Sequence, residues 1–329
     1  ISNFIYTTVS EEIITDNHWL VITNPKAGKR KLPKQREYIV HTLNKAGIPF
    51  IYKETEYSGH AIEIAKQYTR RGCSNFLVLG GDGSISEVIN GIFAANTPDT
   101  SGIKLALIPR GTGNDWGRFW KLKKNDKKSM SVFLQNNDQQ IDIGKIEYRV
   151  DGIPETHYFI NSVGFGLDGE VCDLTHSLKK YTGSFSFLYT IALLAAIFRY
   201  KSTETEITVN NIKHKMKLFT MNIANGCYSG GGIKQNPSAL PYDGVFDMMM
   251  VEKPTFSDII TALPLIFNGK LTKHRVIKSL RTEQVDISCK ENIMVEADGI
   301  IVPNAHSCKV SILKDAIRMI VPKSEISRA

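Results

Sequence analysis

Leu79-Gly80-Gly81-Asp82-Gly83-Ser84 follows the apolar run Phe76–Leu79 and opens the helical stretch Ser84–Ala94. A short apolar run that ends in glycines and passes at once into an amphipathic segment reads as a buried strand joined to its helix. The glycines permit positive φ and close approach of the backbone to a ligand. The helix N-terminus behind them favours an anion. Ser86 stands where a dinucleotide fingerprint needs its third glycine, and no GxxxxGK[ST] occurs in the chain. An acidic residue inside an anion loop is most useful through Mg2+, which bridges carboxylate and phosphate oxygens. Alone, the segment also reads as a structural turn with Ser84 as helix cap.

The same rhythm extends on both sides. Trp19–Thr23 and Phe50–Lys53 read as strands, Lys34–Ala46 and Gly59–Tyr68 as helices, and Leu105–Ile108 as a further strand. His60 falls at a helix start, where entry chemistry accounts for it. Alternation of this kind predicts a parallel sheet covered by helices. Loops at the carboxyl ends of such strands gather along one edge. The loops Asn24-Pro25-Lys26-Ala27-Gly28-Lys29-Arg30, Gly80–Ser84 and Pro109-Arg110-Gly111-Thr112-Gly113-Asn114-Asp115 would then share one crevice. That crevice would hold Asn24, Asp82, Thr112, Asp115 and several cations.

Beyond the lysine-rich piece Lys121–Lys128 the chain turns strand-rich. Strands are expected at Ile146–Val150, His157–Ile160, Glu206–Val209, Lys217–Ile223, Val245–Val251, Gln284–Ser288 and Ile293–Glu296. Helices are expected at Phe185–Tyr200 and Phe256–Phe267. The reading is a Rossmann-like three-layer α/β domain over residues 1–141, then an antiparallel β-sandwich-like domain over 142–310, with the boundary near residues 125–142.

Composition agrees with two globular domains. The 329 residues are 42% hydrophobic and 22% charged, which excludes a disordered or collagen-like chain. The net charge of +8 suits phosphates, acidic headgroups or nucleic acid without choosing among them. The five cysteines, Cys73, Cys172, Cys227, Cys289 and Cys308, form no CxxC, so a reducing, cytoplasmic setting is expected. No signal peptide opens the chain, and the start at Ile1 suggests a trimmed N-terminus. The run Phe185–Phe198 covers 14 positions, short of the ~17–25 needed to span a bilayer. It reads as a core helix or as a wall for acyl chains. No Gly-x-Ser-x-Gly elbow supports a hydrolase, and no recognised motif supports nucleic-acid binding.

In order along the chain, NPKAG, GGDGS, PRGTGNDWGR, Ile141-Asp142-Ile143-Gly144, Ile160–Gly166, Asn225-Gly226, Gly230–Gly232, Pro241–Gly244 and Glu296–Gly299 resemble the diacylglycerol kinase catalytic-domain family. The resemblance runs from Trp19 to Pro322 and implies an ATP- and Mg2+-dependent lipid kinase. It also implies an N-terminal domain like those of NAD kinase and phosphofructokinase, rejoined by a returning segment at about 311–329. It places Asn24, Pro25, Lys26, Ala27, Gly28, Gly80, Gly81, Gly83, Ser84, Gly111, Thr112 and Asn114 at the nucleotide. Asp82, Asp115 and Asp142 would form the network around a catalytic Mg2+. Asp243, with the carbonyls of Leu240 and Val245, would hold a structural Mg2+. Asp298 would be the general base.

The family pattern is Asp-Gly-Glu where this chain reads Asp298-Gly299-Ile300. Side chains two apart in a strand share a face, so Glu296 is expected beside Asp298 as a partial replacement or, alternatively, solvated. Lysines at 121–128, 179–180, 213–217 and 270–281 read as solvated faces or as contacts to an anionic membrane surface. Peripheral association and, from the resemblance, a homodimer complete the expectations. The rival readings are a soluble kinase of the NAD kinase or phosphofructokinase type and a non-catalytic lipid- or nucleotide-binding module.

Overall fold

The computed structural model describes residues 17–28, 32–182 and 188–326. Lys29 and Arg30 of the first loop, and Phe185 at the start of the apolar run, lie outside them. The first half runs β1 (Trp19–Thr23), α1 (Leu32–Lys45), β2 (Phe50–Glu54), α2 (His60–Arg70), β3 (Asn75–Gly80), α3 (Asp82–Ala94), β4 (Lys104–Pro109), α4 (Asp115–Phe119) and α5 (Asp126–Gln135). Strands β2, β1, β3 and β4 are all parallel neighbours in that order. Their side chains alternate between two cores. Leu20, Ile22, Phe76, Val78, Leu105 and Leu107 face α2 and α3. Val21, Leu77, Leu79, Ala106 and Ile108 face α1 and α5. This is the three-layer α/β arrangement that the alternating pattern implied.

The second half runs β5 (Asp138–Val150), β6 (Ile153–Phe159), β7 (Ser162–Gly166), α6 (Leu167–Thr182), α7 (Leu188–Arg199), β8 (Thr203–Val209), β9 (Ile212–Ala224), β10 (Phe246–Glu252), α8 (Phe256–Phe267), β11 (Ile277–Thr282), β12 (Gln284–Ala297) and β13 (Ile300–Ile320). Its strands pair antiparallel around a core that includes Phe159, Phe165, Met221, Phe246 and Val295. Helices α6, α7 and α8 pack outside the strands around Leu193, Phe219 and Val251.

The long strand β13 connects the two halves. It pairs antiparallel with β12 and β5, and its last residues pair in parallel with β4 at Arg318↔Lys104 and Met319↔Leu105. The sequence reading assigns no element to α4, α5, β11 or β13, and it differs at three further places. Gln284–Ser288 and Ile293–Glu296 are one strand, interrupted by a register shift. Ile160–Gly166, quoted above as a motif, contains strand β7. Leu167–Thr182, left unassigned, is helix α6. Gly169 in α6 is required by packing rather than by a turn, since a Cβ there would lie 2.7 Å from the backbone carbon of Met294.

Candidate active site

The register Thr23↔Leu79↔Ile108 brings the ends of β1, β3 and β4 level. Their loops then meet through backbone. Asn24 N–H donates to Leu79 O at 3.2 Å, and Arg110 N–H donates to Gly80 O at 2.7 Å. A Cβ on Gly81 would sit 2.8 Å from Gly111 Cα, and one on Gly28 would sit 2.8 Å from Arg110 O. The loops therefore need glycine in order to touch. Asn24 folds its own loop, with Oδ1 accepting from Lys26 N–H at 2.9 Å, and its amide reaches Ser84 Oγ at 3.5 Å. Pro25 and Ala27 complete that turn, with Ala27 N–H on Asn24 O. Gly81, not Ser84, is the N-cap of α3, and Ser84 lies inside its first turn.

Asp82 begins α3, and its Oδ1 accepts from Trp116 N–H at 3.0 Å, tying the β3 loop to α4. Asp115 Oδ2 accepts from Gly231 N–H at 2.8 Å, which ties both loops to the glycine turn Gly230–Gly232 of the second half. A Cβ on Gly113 would lie 3.2 Å from Asp82 Oδ2 and 3.5 Å from Asp115 Oδ2. Burial raises both carboxyls above the usual range. Asp115 rises to about 7, through burial first and the neighbouring Asp82 second. Asp115 Oδ1 and Asn114 Oδ1 are buried without a hydrogen-bond donor among the described residues. Two repelling carboxylates, one with an unmet oxygen that has Arg118 Nε at 4.0 Å as its cationic neighbour, suit a hard cation. No group of three ligating side chains converges there among the described residues, so the fit is to an ion held largely through water.

Asp298 arrives from the opposite side, on the tip of the β12–β13 hairpin. Ala297 pairs with Ile300, leaving Asp298-Gly299 as a two-residue turn with φ of 50° and 77°. Oδ1 accepts from the N–H groups of Asn161 (2.8 Å) and Ser162 (3.2 Å), and Oδ2 from Ile160 N–H (2.7 Å). Burial raises the carboxyl to about 6, the three N–H groups oppose that rise, and Asp82 adds to it. Glu296 does not reach Asp298 along a continuous strand, because β12 has ended at Ala297. It acts through the turn instead, where its Oε2 accepts from Gly299 N–H at 2.8 Å.

Asp142 is held by backbone of the second half. Its oxygens accept from Asp315 N–H (2.9 Å) and Gly244 N–H (2.8 Å), holding a bulge in β13 and the loop before β10. Burial raises it, and Asp315 and Asp243 are its charged neighbours. Its link to Asp298 is indirect: the Asn225 amide donates to both Asp142 O and Ile160 O. Asp243 is bound by the Arg281 guanidinium and by Val245 N–H at 3.4 Å. The cationic partner of Asp243 there is Arg281.

Sequence reasoning missed a second carboxylate centre. A Cβ on Gly164 would lie 2.8 Å from both Asp168 Oδ2 and Glu296 Oε1. Asp168 accepts from Thr220 Oγ1 (3.0 Å), Asn222 Nδ2 (3.1 Å) and Gln235 Nε2 (3.0 Å). Glu296 rises to about 8, through burial and then the charges of Asp168 and Asp298. Asp168, Thr220 and Gln235 line an apolar cavity of about 80 Å³ between α7, α8, β9 and β10. Leu193 and Ile197 of α7 and Ile259, Leu263 and Ile266 of α8 are among its walls. Glu296 is expected from the sequence only as a partner of Asp298, and the aspartate just after the glycine-rich strand β7 is the other signal of this centre.

Residues 18–146 match the family model for the diacylglycerol kinase catalytic domain, and residues 161–321 match that for the YegS C-terminal NAD kinase beta sandwich-like domain. A diacylglycerol kinase of Staphylococcus carnosus is 28% identical over 282 residues, covering 85% of this chain and 87% of its own. One from Staphylococcus aureus is 28% identical over 280 residues, covering 85% and 84%. The solved structure of a diacylglycerol kinase from Bacillus anthracis superposes with a TM-score of 0.70 at 22% identity, covering 94% of this chain and 98% of that one. A yeast NADH kinase complexed with NADH superposes with a TM-score of 0.55 at 10% identity, covering 94% and 85%. At these identities the two structures speak to fold alone.

Proposed function

Because the chain belongs to the diacylglycerol kinase catalytic-domain family, we propose that it transfers the γ-phosphoryl group of ATP to the hydroxyl of a lipid, with diacylglycerol as the first acceptor to test. One observation carries this reading. Asp298, its carboxyl raised to about 6 by burial, has Asp82 of the glycine-loop crevice as a charged neighbour on one side. On the other it is coupled through Glu296 to Asp168, the polar end of the apolar cavity. A reaction joining a nucleotide phosphate to a hydroxyl on an acyl chain needs these surroundings on its two sides.

The Asn24–Gly28 turn, Gly80–Ser84, Gly111, Thr112 and Asn114 would line the nucleotide, their glycines leaving room for phosphate. Asp82 and Asp115 would hold Mg2+, which when bound would neutralise phosphate charge. Asp298 accepts the proton of the lipid hydroxyl as its oxygen bonds to phosphorus and the bond to ADP breaks. Three backbone N–H groups fix the carboxylate while Oδ2, with one hydrogen bond, keeps a lone pair for that proton.

Label transfer from γ-labelled ATP in Mg2+-containing mixed micelles tests the proposal. Diacylglycerol, a sphingoid base, phosphatidylglycerol and NAD are offered separately. Label in one lipid, absent with Asp298→Asn, is the expected result. Label in NAD alone would replace the reading with a soluble-kinase one, and ATP binding without transfer to any acceptor would leave a binding module.

A further inference from the structure

The turn that carries Asp298 has polar groups that its own hairpin does not satisfy. The ladder closes between Ala297 and Ile300, which leaves the N–H and C=O of Gly299 outside it. Side chains meet both. Gly299 N–H donates to Glu296 Oε2 at 2.8 Å, and Gly299 O accepts from Cys172 Sγ at 3.2 Å. On the other side of the turn, Asp298 N–H donates to Ser162 O at 3.0 Å. Asp298 itself holds φ at 50°, an uncommon conformation for a residue other than glycine, so contacts from outside the turn help to keep it there.

Packing delivers Cys172 to that carbonyl. It belongs to α6, which Gly169 seats against Met294 of β12. Asp168 and Cys172 are four residues apart, so one face of α6 turns a carboxylate to the cavity and a thiol to the Asp298 turn. Cys172 is buried, and that burial, followed by the charge of Glu296, pushes its thiol up, so the sulfur keeps its proton and donates. A cysteine that only fills space makes a longer contact. Cys73 Sγ lies 3.5 Å from Asn75 O, and Cys289 Sγ lies 3.6 Å from Thr205 Oγ1. The sulfur of Cys172 is closer to its acceptor than either, and that acceptor belongs to the residue beside Asp298.

We propose that Cys172 is a positioning residue for Asp298, holding the peptide unit after Gly299 from the α6 side while Glu296 holds the peptide unit before it from the β12 side. The two side chains orient the turn and leave proton transfer to Asp298. With both units fixed, Asp298 Oδ2 meets an acceptor hydroxyl along one line instead of over a range of turn conformations. The purpose of the clamp rests on the lipid-kinase reading, but the clamp itself needs neither nucleotide nor lipid.

The test combines two readouts on the full chain: the backbone N–H resonance of Gly299 in protein carrying isotope-labelled glycine, and steady-state transfer to the lipid that accepts label. Cys172→Val keeps bulk and removes the donor, and Glu296→Leu removes the acceptor. Each should shift the Gly299 resonance. kcat should fall about fivefold in the first and about tenfold in the second, while KM for ATP and for the lipid stays within about twofold. Cys172→Ser and Glu296→Gln, which keep a donor and an acceptor, should recover most of both losses. The double variant Cys172→Val/Glu296→Leu should lose less than the product of the single losses, because both bonds hold one turn. A Gly299 resonance unmoved in Cys172→Val would overturn the proposal. So would serine and valine variants with the same kcat, or a loss carried by KM alone. If wild type transfers phosphate to no acceptor, the kinase reading falls, and the resonance with its serine rescue still decides the clamp.

Discussion

The glycine-loop crevice and the apolar cavity are built on opposite plans. The crevice is assembled from three short loops at the ends of β1, β3 and β4, joined by backbone hydrogen bonds, with Asp82 and Asp115 inside. The cavity is assembled from single side chains spread from Leu167 to Ile277, with one buried polar end. Glu296 lies between them, coupled to Asp168 on one side and to Asp298 on the other. The contrast teaches that chemistry at a polar site is carried by contiguous backbone, whereas selection of an apolar ligand is distributed. Substitution in the crevice should therefore affect every acceptor, and substitution in the cavity only those with long chains.

The largest expected effect comes from Asp298→Asn. It removes the proton acceptor while keeping oxygen and shape, so transfer should fall by roughly 10²–10⁴. Equilibrium binding of ATP should stay within about twofold of wild type, because the nucleotide loops are untouched. A smaller, selective loss is expected from Leu263→Trp, which fills part of the cavity. kcat/KM for a long-chain acceptor should drop by about 10–100-fold while a short-chain acceptor is unaffected. Equal losses for both would erase the division between the two regions.

Acidity gives the next effect. Asp298 must be ionised to accept a proton and titrates at about 6. kcat/KM should rise about tenfold per pH unit below that value and level off above it. A profile flat from pH 5 upward would remove Asp298 from the proton-accepting role.

The smallest effect concerns stability. Glu296 has its folded value raised to about 8 from 4.5, so between those limits the folded chain holds more protons than the unfolded chain. Stability should therefore fall as pH rises through this window, and Glu296→Gln should flatten the slope while keeping the acceptor for Gly299 N–H. Urea unfolding at several pH values reads this directly, and parallel slopes for the two proteins would contradict it.

Much of the crevice was legible because its residues are adjacent in sequence. GGDGS and PRGTGND each combine glycine, an acid and a strand end, and the fold brings Asp82 and Asp115 together. Asp142 was less legible. Its two oxygens are saturated by backbone N–H groups from Gly244 and Asp315, partners that are set by strand pairing rather than by a motif. The hairpin turn at Asp298-Gly299 was written in the sequence, yet the strand reading stopped at Glu296 and missed the return into β13. That strand contains Pro303 and a register shift between Leu313 and Ile317, which breaks its alternation. The cavity was hidden because no local pattern distinguishes a helix lining a cavity from one buried in a core.

The central claim is that one region performs the transfer and the other chooses the lipid. It is tested most directly by measuring transfer from ATP to a short-chain and a long-chain diacylglycerol with wild type, Asp298→Asn and Leu263→Trp. The account predicts that Asp298→Asn loses both acceptors and Leu263→Trp loses only the long-chain one. Retained transfer in Asp298→Asn, or a Leu263→Trp enzyme that treats both acceptors as wild type does, would contradict it.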